Sequence, residues 1–132
     1  MILHLSNALL FVITWMVQIW IYPKLSLPED RRFFSYNWYK AFIVVLTLPA
    51  MTAQSVMHSI NFFNQPGWIH AVQLFGTISA IILTFGFAVP LHVQMTREGI
   101  SEAQVKRLIR IHSLRTICWT IIFLLDFIKF RH

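Results

Sequence analysis

The chain is short of charge. Only 12% of its 132 residues are Asp, Glu, Lys or Arg, and five of those are acidic. A soluble domain carries about 25% charge. Half that density does not coat a protein this small in water, because small domains expose a large share of their residues. The shortage excludes an ordinary water-soluble enzyme and a disordered segment. There is a single cysteine, Cys118, which excludes an internal disulfide and the small secreted scaffolds that depend on one. The chain has no internal repeat and no low-complexity tract.

What it does have is apolar surface. Hydrophobic residues make up 57% of the chain, and the mean hydropathy is +0.62. A spanning helix needs about 20 mostly apolar residues. Four stretches meet that need, at about 2–22, 38–63, 68–94 and 109–130. The first and third carry no charge, and the fourth carries Arg115 and Asp126 inside it. The first has no basic segment before it and ends in Ile21-Tyr22-Pro23, unlike a cleavable signal. Pro23, Pro28, Pro66 with Gly67, and Gly99 punctuate the connections. These features predict an all-α integral membrane protein: one domain, a four-helix transmembrane bundle, in a bacterial-type cytoplasmic (inner) membrane.

The formal net charge is +6, but the charges do not gather on a nucleic-acid-binding face. Lys24, Arg31, Arg32 and Lys40 flank the first loop. Arg97, Lys106, Arg107, Arg110 and Arg115 flank the third. The second loop, Asn64-Gln65-Pro66-Gly67, has none. The positive-inside rule therefore predicts loops one and three in the cytoplasm and both termini outside. Lys129 and Arg131 pull weakly the other way. The expected partners are the lipid bilayer and other membrane subunits or a second copy of the chain, not nucleic acid. Residues 101–110 have helical spacing, with Val105, Leu108 and Ile109 on one side, and read as a cytoplasmic extension of the fourth helix.

Polar residues inside a span are costly and usually face the bundle interior. At three- and four-residue spacing they fall on one face of each helix. The faces are His4, Asn7, Phe11, Trp15, Gln18 and Tyr22; Gln54, His58 and Asn61; His70, Gln73, Thr77, Ala80 and Thr84; and His112, Arg115, Trp119, Ile122 and Asp126. Depth divides them into two layers. Gln18, Tyr39, His92, Gln94, His112 and Arg115 lie toward the cytoplasm. His4, His58, Asn61, His70, Gln73 and Asp126 lie toward the outside.

Each polar group has two readings. His58 and His70 are candidate metal ligands, since neutral imidazole binds metals and haem iron. Against this, no two histidines in one helix stand four apart, and no Cys or Glu completes a site deep in a span. Arg115 either holds an anionic group or reaches out to lipid phosphates. Asp126 pairs with His4, His58 or His70 as a proton-transfer element, or with Lys129 one turn on. His92, His112 and Arg115 are the candidate catalytic groups, with Gln18, Gln54 and Trp119 as candidate ligand-binding groups.

Residues 15–25, Leu48-Pro49-Ala50-Met51 and Gly67-Trp68-Ile69-His70-Ala71 resemble the first three segments of HemJ-type protoporphyrinogen oxidases. That family's first-helix histidine falls at Ala8. The resemblance implies a four-helix membrane fold, haem b as cofactor and a redox activity. The second half is similar to bacterial relatives of anthrone oxygenases, through Val89-Pro90-Leu91-His92 and His112-Ser113-Leu114-Arg115-Thr116 with Trp119. Two functions follow as expectations. One is a redox enzyme that binds haem or a flat hydrophobic substrate between the polar stripes. The other is a non-catalytic subunit of a larger membrane complex, or a protein that binds lipid or a small molecule. The orientation has a direct check. A cysteine placed at Gln65 should react with an impermeant maleimide from outside, and one at Ser101 only after the membrane is opened. The reverse pattern inverts the two layers.

Overall fold

The computed structural model describes residues 1–26 and 36–131. Pro28, Arg31 and Arg32 of the first basic loop lie outside the described residues, as do the side chains of Trp38, Tyr39 and Lys40. Among the described residues all regular structure is helical, with no strand. Helix α1 (Ile2–Met16) runs through a π-helical stretch (Val17–Ile21) into α2 (Tyr22–Ser26). Helix α3 covers Tyr36–Asn64. Helix α4 (Trp68–Ile81) runs through a second π stretch (Ile82–Ala88) into α5 (Val89–Glu98). Helix α6 covers Glu102–Arg131. Three continuous helices, Ile2–Lys24, Trp68–Met95 and Glu102–Arg131, are long and apolar enough to cross a membrane.

Local chemistry sets the boundaries. Gly99 ends α5 at φ 90°, a backbone region that costs glycine nothing. Ser101 then starts α6 with a reciprocal cap. The Gln104 amide donates to Ser101 Oγ at 3.3 Å, and the Ser101 amide donates to Gln104 Oε1 at 3.2 Å. At the other turn, Gly67 is extended and accepts the Ala71 amide as α4 begins. The second π stretch lies just before Pro90. A proline there lacks an N–H and its ring crowds the carbonyl four residues back, at Gly86. The wider π turn takes up that conflict.

The rods pack in a ring. Helix α6 lies between α1 and α4, and α3 lies between the same two on the opposite side. Cross-rod pairs run in opposite residue order, His4 with Asp126 and Gln18 with Ser113, so α1 and α6 are antiparallel. Phe11 stacks on Phe123 across that seam, with ring centroids 4.5 Å apart. One buried apolar cluster holds Leu10, Ala50, Met51, Ala80, Trp119 and Ile122. A second, nearer the loop end, includes Ile13, Val17, Tyr22, Leu108 and Ile111. Much of the outside is apolar too, including Leu5, Val12, Ile19, Phe75, Ile82, Ile117 and Phe127. Lipid tolerates that surface, whereas water would drive it to associate.

The expected inward faces hold on three rods. Gln54 and His58 are buried on α3, His70, Gln73, Thr77 and Ala80 on α4, and all five expected residues on α6. The first rod is turned partly from its expected face. Asn7 and Tyr22 are buried as expected, together with Leu3, Ser6, Leu10, Ile13, Thr14 and Val17, while His4 and Trp15 sit at the exposed edge. Apolar packing outweighs side-chain polarity there, and a wet-ended histidine and an indole tolerate an edge position. The extension over 101–110 is helical as expected, with Val105 and Leu108 buried.

Gly76 is where α4 comes closest to α6. A Cβ added there would meet Ile122 side-chain atoms at 3.2 Å, whereas at Gly86 the nearest atom is 3.9 Å away. Gly76→Val should therefore destabilise the bundle by about 1–3 kcal/mol through overpacking. Gly86→Ala should be close to neutral. Thermal unfolding in detergent checks both.

Candidate functional site

The middle of the bundle is held by one polar chain. Trp119 Nε1 donates to Gln54 Oε1 at 3.2 Å, and Gln54 Nε2 donates to Asn7 Oδ1 at 2.8 Å. All three residues are about 1% exposed. The chain ties α6 to α3 across the ring, and α3 to α1. Inter-helix bonds of this kind are worth about 0.6–2 kcal/mol in a membrane. Gln54 and Trp119, expected as ligand-binding groups, thus use their polar atoms on each other. Gln18, the third, donates to Ser113 Oγ at 3.1 Å.

Toward the loop end the ring opens. Helix α3 packs on α1 and α4, but among the described residues none of its Cα atoms comes within 8 Å of the second π stretch or of α5. A pocket of about 200 Å³ fills the gap. Its rim is apolar and half-exposed, with Val44 and Leu48 on one side and Phe85, Val89 and Val93 on the other. The opening therefore faces sideways, toward what surrounds the bundle. Its inner wall carries His92, His112 and Arg115. The structure so gathers the three expected catalytic residues on one surface.

The inner wall is fixed by packing. His112 Nε2 donates to the Thr14 carbonyl at 3.0 Å, just before the first π stretch. Its ring meets Tyr22 edge-on at 4.6 Å. The Arg115 guanidinium lies 5.2 Å from the Trp119 ring centroid, a cation–π distance. Arg115 is 6% exposed. It is therefore inside the bundle and does not reach out to the surface. Thr47 also lines the pocket, and its buried hydroxyl makes no hydrogen bond among the described residues. So does His112, whose Nδ1 is in the same condition. A buried polar atom without a partner costs about 1–3 kcal/mol, so such atoms mark places where water or a ligand belongs. Thr47 was not readable as a site residue, because a threonine between apolar residues looks like any other core position.

At the opposite end, Asp126 accepts from His4 Nδ1 at 2.6 Å. Lys129 donates to His70 Nε2 at 3.0 Å. Of the open partners for Asp126, the structure selects His4 and sends Lys129 elsewhere. His58 is fully buried. Among the described residues no three His, Cys, Asp or Glu side chains converge into a metal-ligand set. His58 and His70 are near one another but gain no third ligand.

Nε2 of His112 carries the proton it gives to the Thr14 carbonyl, so Nδ1 is the ring's lone-pair atom. The cavity, of about 200 Å³, is smaller than the roughly 300–1,000 Å³ of ordinary ligand pockets and does not enclose a haem. The chain matches no family model, no curated protein and no solved structure.

The central chain predicts a coupled pair of variants. Gln54→Ala orphans both the Trp119 N–H and the Asn7 carbonyl and should cost about 1–3 kcal/mol. Trp119→Phe, which keeps most of the ring volume, should cost about 1 kcal/mol. The double variant should cost less than the sum, because both changes break the same bond. Equilibrium unfolding in mixed micelles measures all three.

Proposed function

We propose that the chain is a four-span integral membrane protein whose side pocket takes up a hydrophobic molecule with a polar, hydrogen-bonding head group. Helix α3 supplies the fourth span in this reading. Its 29 residues extend about 43 Å at 1.5 Å per residue, beyond the roughly 30 Å of hydrocarbon. Its average hydropathy is diluted by Gln54 and His58, which face inward, while Val44, Val45, Val56 and Ile60 cover its outer face. The basic residues Lys24, Arg97, Lys106, Arg107 and Arg110 all belong to the loop end. The positive-inside rule puts that end in the cytoplasm and both termini outside. The side pocket then opens into the cytoplasmic leaflet.

The observation that carries the ligand class is the contrast between rim and inner wall. Apolar side chains face outward around the mouth, while the Thr47 hydroxyl and His112 Nδ1 stand at the inner wall without partners among the described residues. A hydroxyl and an unprotonated ring nitrogen favour a head group that both accepts and donates a hydrogen bond, such as a carboxylic acid. The apolar walls suit a chain or a flat ring that arrives through the bilayer rather than from water. Binding of this sort requires no catalysis, so the reading is a lipid-binding or small-molecule-binding membrane protein.

The test is binding by the protein in detergent. A fluorescent fatty acid should bind at one site per chain, and its neutral methyl ester should bind about tenfold more weakly. Thr47→Val should reduce that difference, and Val44→Trp should close the mouth and weaken both. Equal binding of acid and ester would overturn the reading. A purified protein with a Soret band would replace it with the haem-linked redox alternative.

A further inference from the structure

The far end of the bundle holds a second cavity, of about 290 Å³. All four rods contribute to it: His4 from α1, Asn61 from α3, Gln73 from α4, and Asp126, Lys129 and Phe130 from α6. It is separated from the side pocket by the Trp119–Gln54–Asn7 chain.

Its charges are arranged in an unusual way. Asp126 and Lys129 are one turn apart on α6, where opposite charges commonly pair. They do not pair. Among the described residues no carboxylate lies within 4 Å of Lys129, and each group turns instead to a neutral-capable histidine. The ammonium must donate to His70 Nε2, so that imidazole accepts with a lone pair and brings no negative charge. Asp126 is 6% exposed and has one carboxylate oxygen beyond the His4 bond. The cup thus holds a cation and an anion splayed apart, each with unused hydrogen-bonding capacity.

A further observation points to an occupant: the Asn61 carboxamide lines the cavity without a hydrogen-bond partner among the described residues. The volume is several times the share of about 30 Å³ that a water takes in the liquid. The lining is apolar on one side, where Leu3 and the exposed Phe130 stand.

We propose that this cup binds a zwitterionic phosphoethanolamine group, its primary ammonium at Asp126 and its phosphate at Lys129. A primary ammonium donates to the carboxylate, which a quaternary ammonium cannot do. The phosphate accepts from the lysine's remaining hydrogens. The apolar side accommodates acyl chains if the group arrives on a lipid. This inference shares with the preceding reading only the four-span topology, and it concerns the opposite end of the molecule.

The test uses the full chain in a non-ionic detergent. Short-chain phosphatidylethanolamine, phosphatidylcholine and phosphatidylglycerol are titrated and followed by calorimetry or native mass spectrometry. The ethanolamine lipid should bind about tenfold tighter than the other two. Asp126→Asn should reduce ethanolamine binding to the glycerol level and leave glycerol binding unchanged. Lys129→Gln, at an exposed position that leaves the core untouched, should weaken both. Competition by free O-phosphoethanolamine assigns recognition to the headgroup alone. Retained preference without competition assigns it to the headgroup on its lipid. Arg115→Gln should leave the preference intact, which separates this site from the side pocket. Equal affinity for the three lipids would overturn the proposal. So would a preference that survives both Asp126→Asn and Lys129→Gln in protein whose thermal transition is retained.

Discussion

The hydrogen-bonded chain from Trp119 through Gln54 to Asn7 is the constraint on which the rest of the molecule depends. Helices in an apolar medium have little hydrophobic reason to choose one register over another. A buried amide that must satisfy a donor on one rod and an acceptor on another sets the depth of three rods at once. Everything polar is placed relative to it. On α6, His112, Trp119 and Asp126 follow one another at seven-residue intervals, about two turns or 10 Å apart. The seven-residue spacing keeps all three on the inner face. One end of the bundle therefore receives His112 and Arg115, the other Asp126, and the brace stands between them.

The side pocket exists because two rods are loosened on the loop side of that brace. Pro49 interrupts the hydrogen-bond ladder of α3. Beyond it toward the C-terminus, Ala50, Met51, Gln54 and His58 are buried. Before it, Val44, Val45 and Leu48 face outward. On the opposite wall the π stretch before Pro90 widens the third rod, and only Ala88 within it is buried. Pro49 thus stands opposite the π stretch rather than opposite Pro90 itself. The space between Pro49 and that stretch is one that close-packed straight helices would have filled.

Much of this was legible in the residues. Intramembrane polarity at helical spacing marked the inner faces of α3, α4 and α6, because a polar side chain in lipid has few other places to go. The same reasoning brings His92, His112 and Arg115 to one end of the bundle. It placed the first rod a step out of phase, since His4 and Trp15 can remain at an edge while Leu3, Leu10 and Val17 compete for the core. Partner choice was less legible. Nothing in spacing shows that Gln54 and Trp119 satisfy each other, or that Asp126 prefers His4 to Lys129. Those outcomes depend on angles between rods, as does the orphaned hydroxyl of Thr47. The π stretches were also hidden, although Pro90 signals that the helix before it must adjust.

The account stands most directly on an experimental density map of the protein in lipid nanodiscs, at a resolution that shows side chains. It predicts that the N-terminal half of α3 stands away from α5, with an elongated density between Leu48 and Phe85 ending beside Arg115 and His112. A map in which α3 closes onto α5 and fills that space with its own side chains would contradict it.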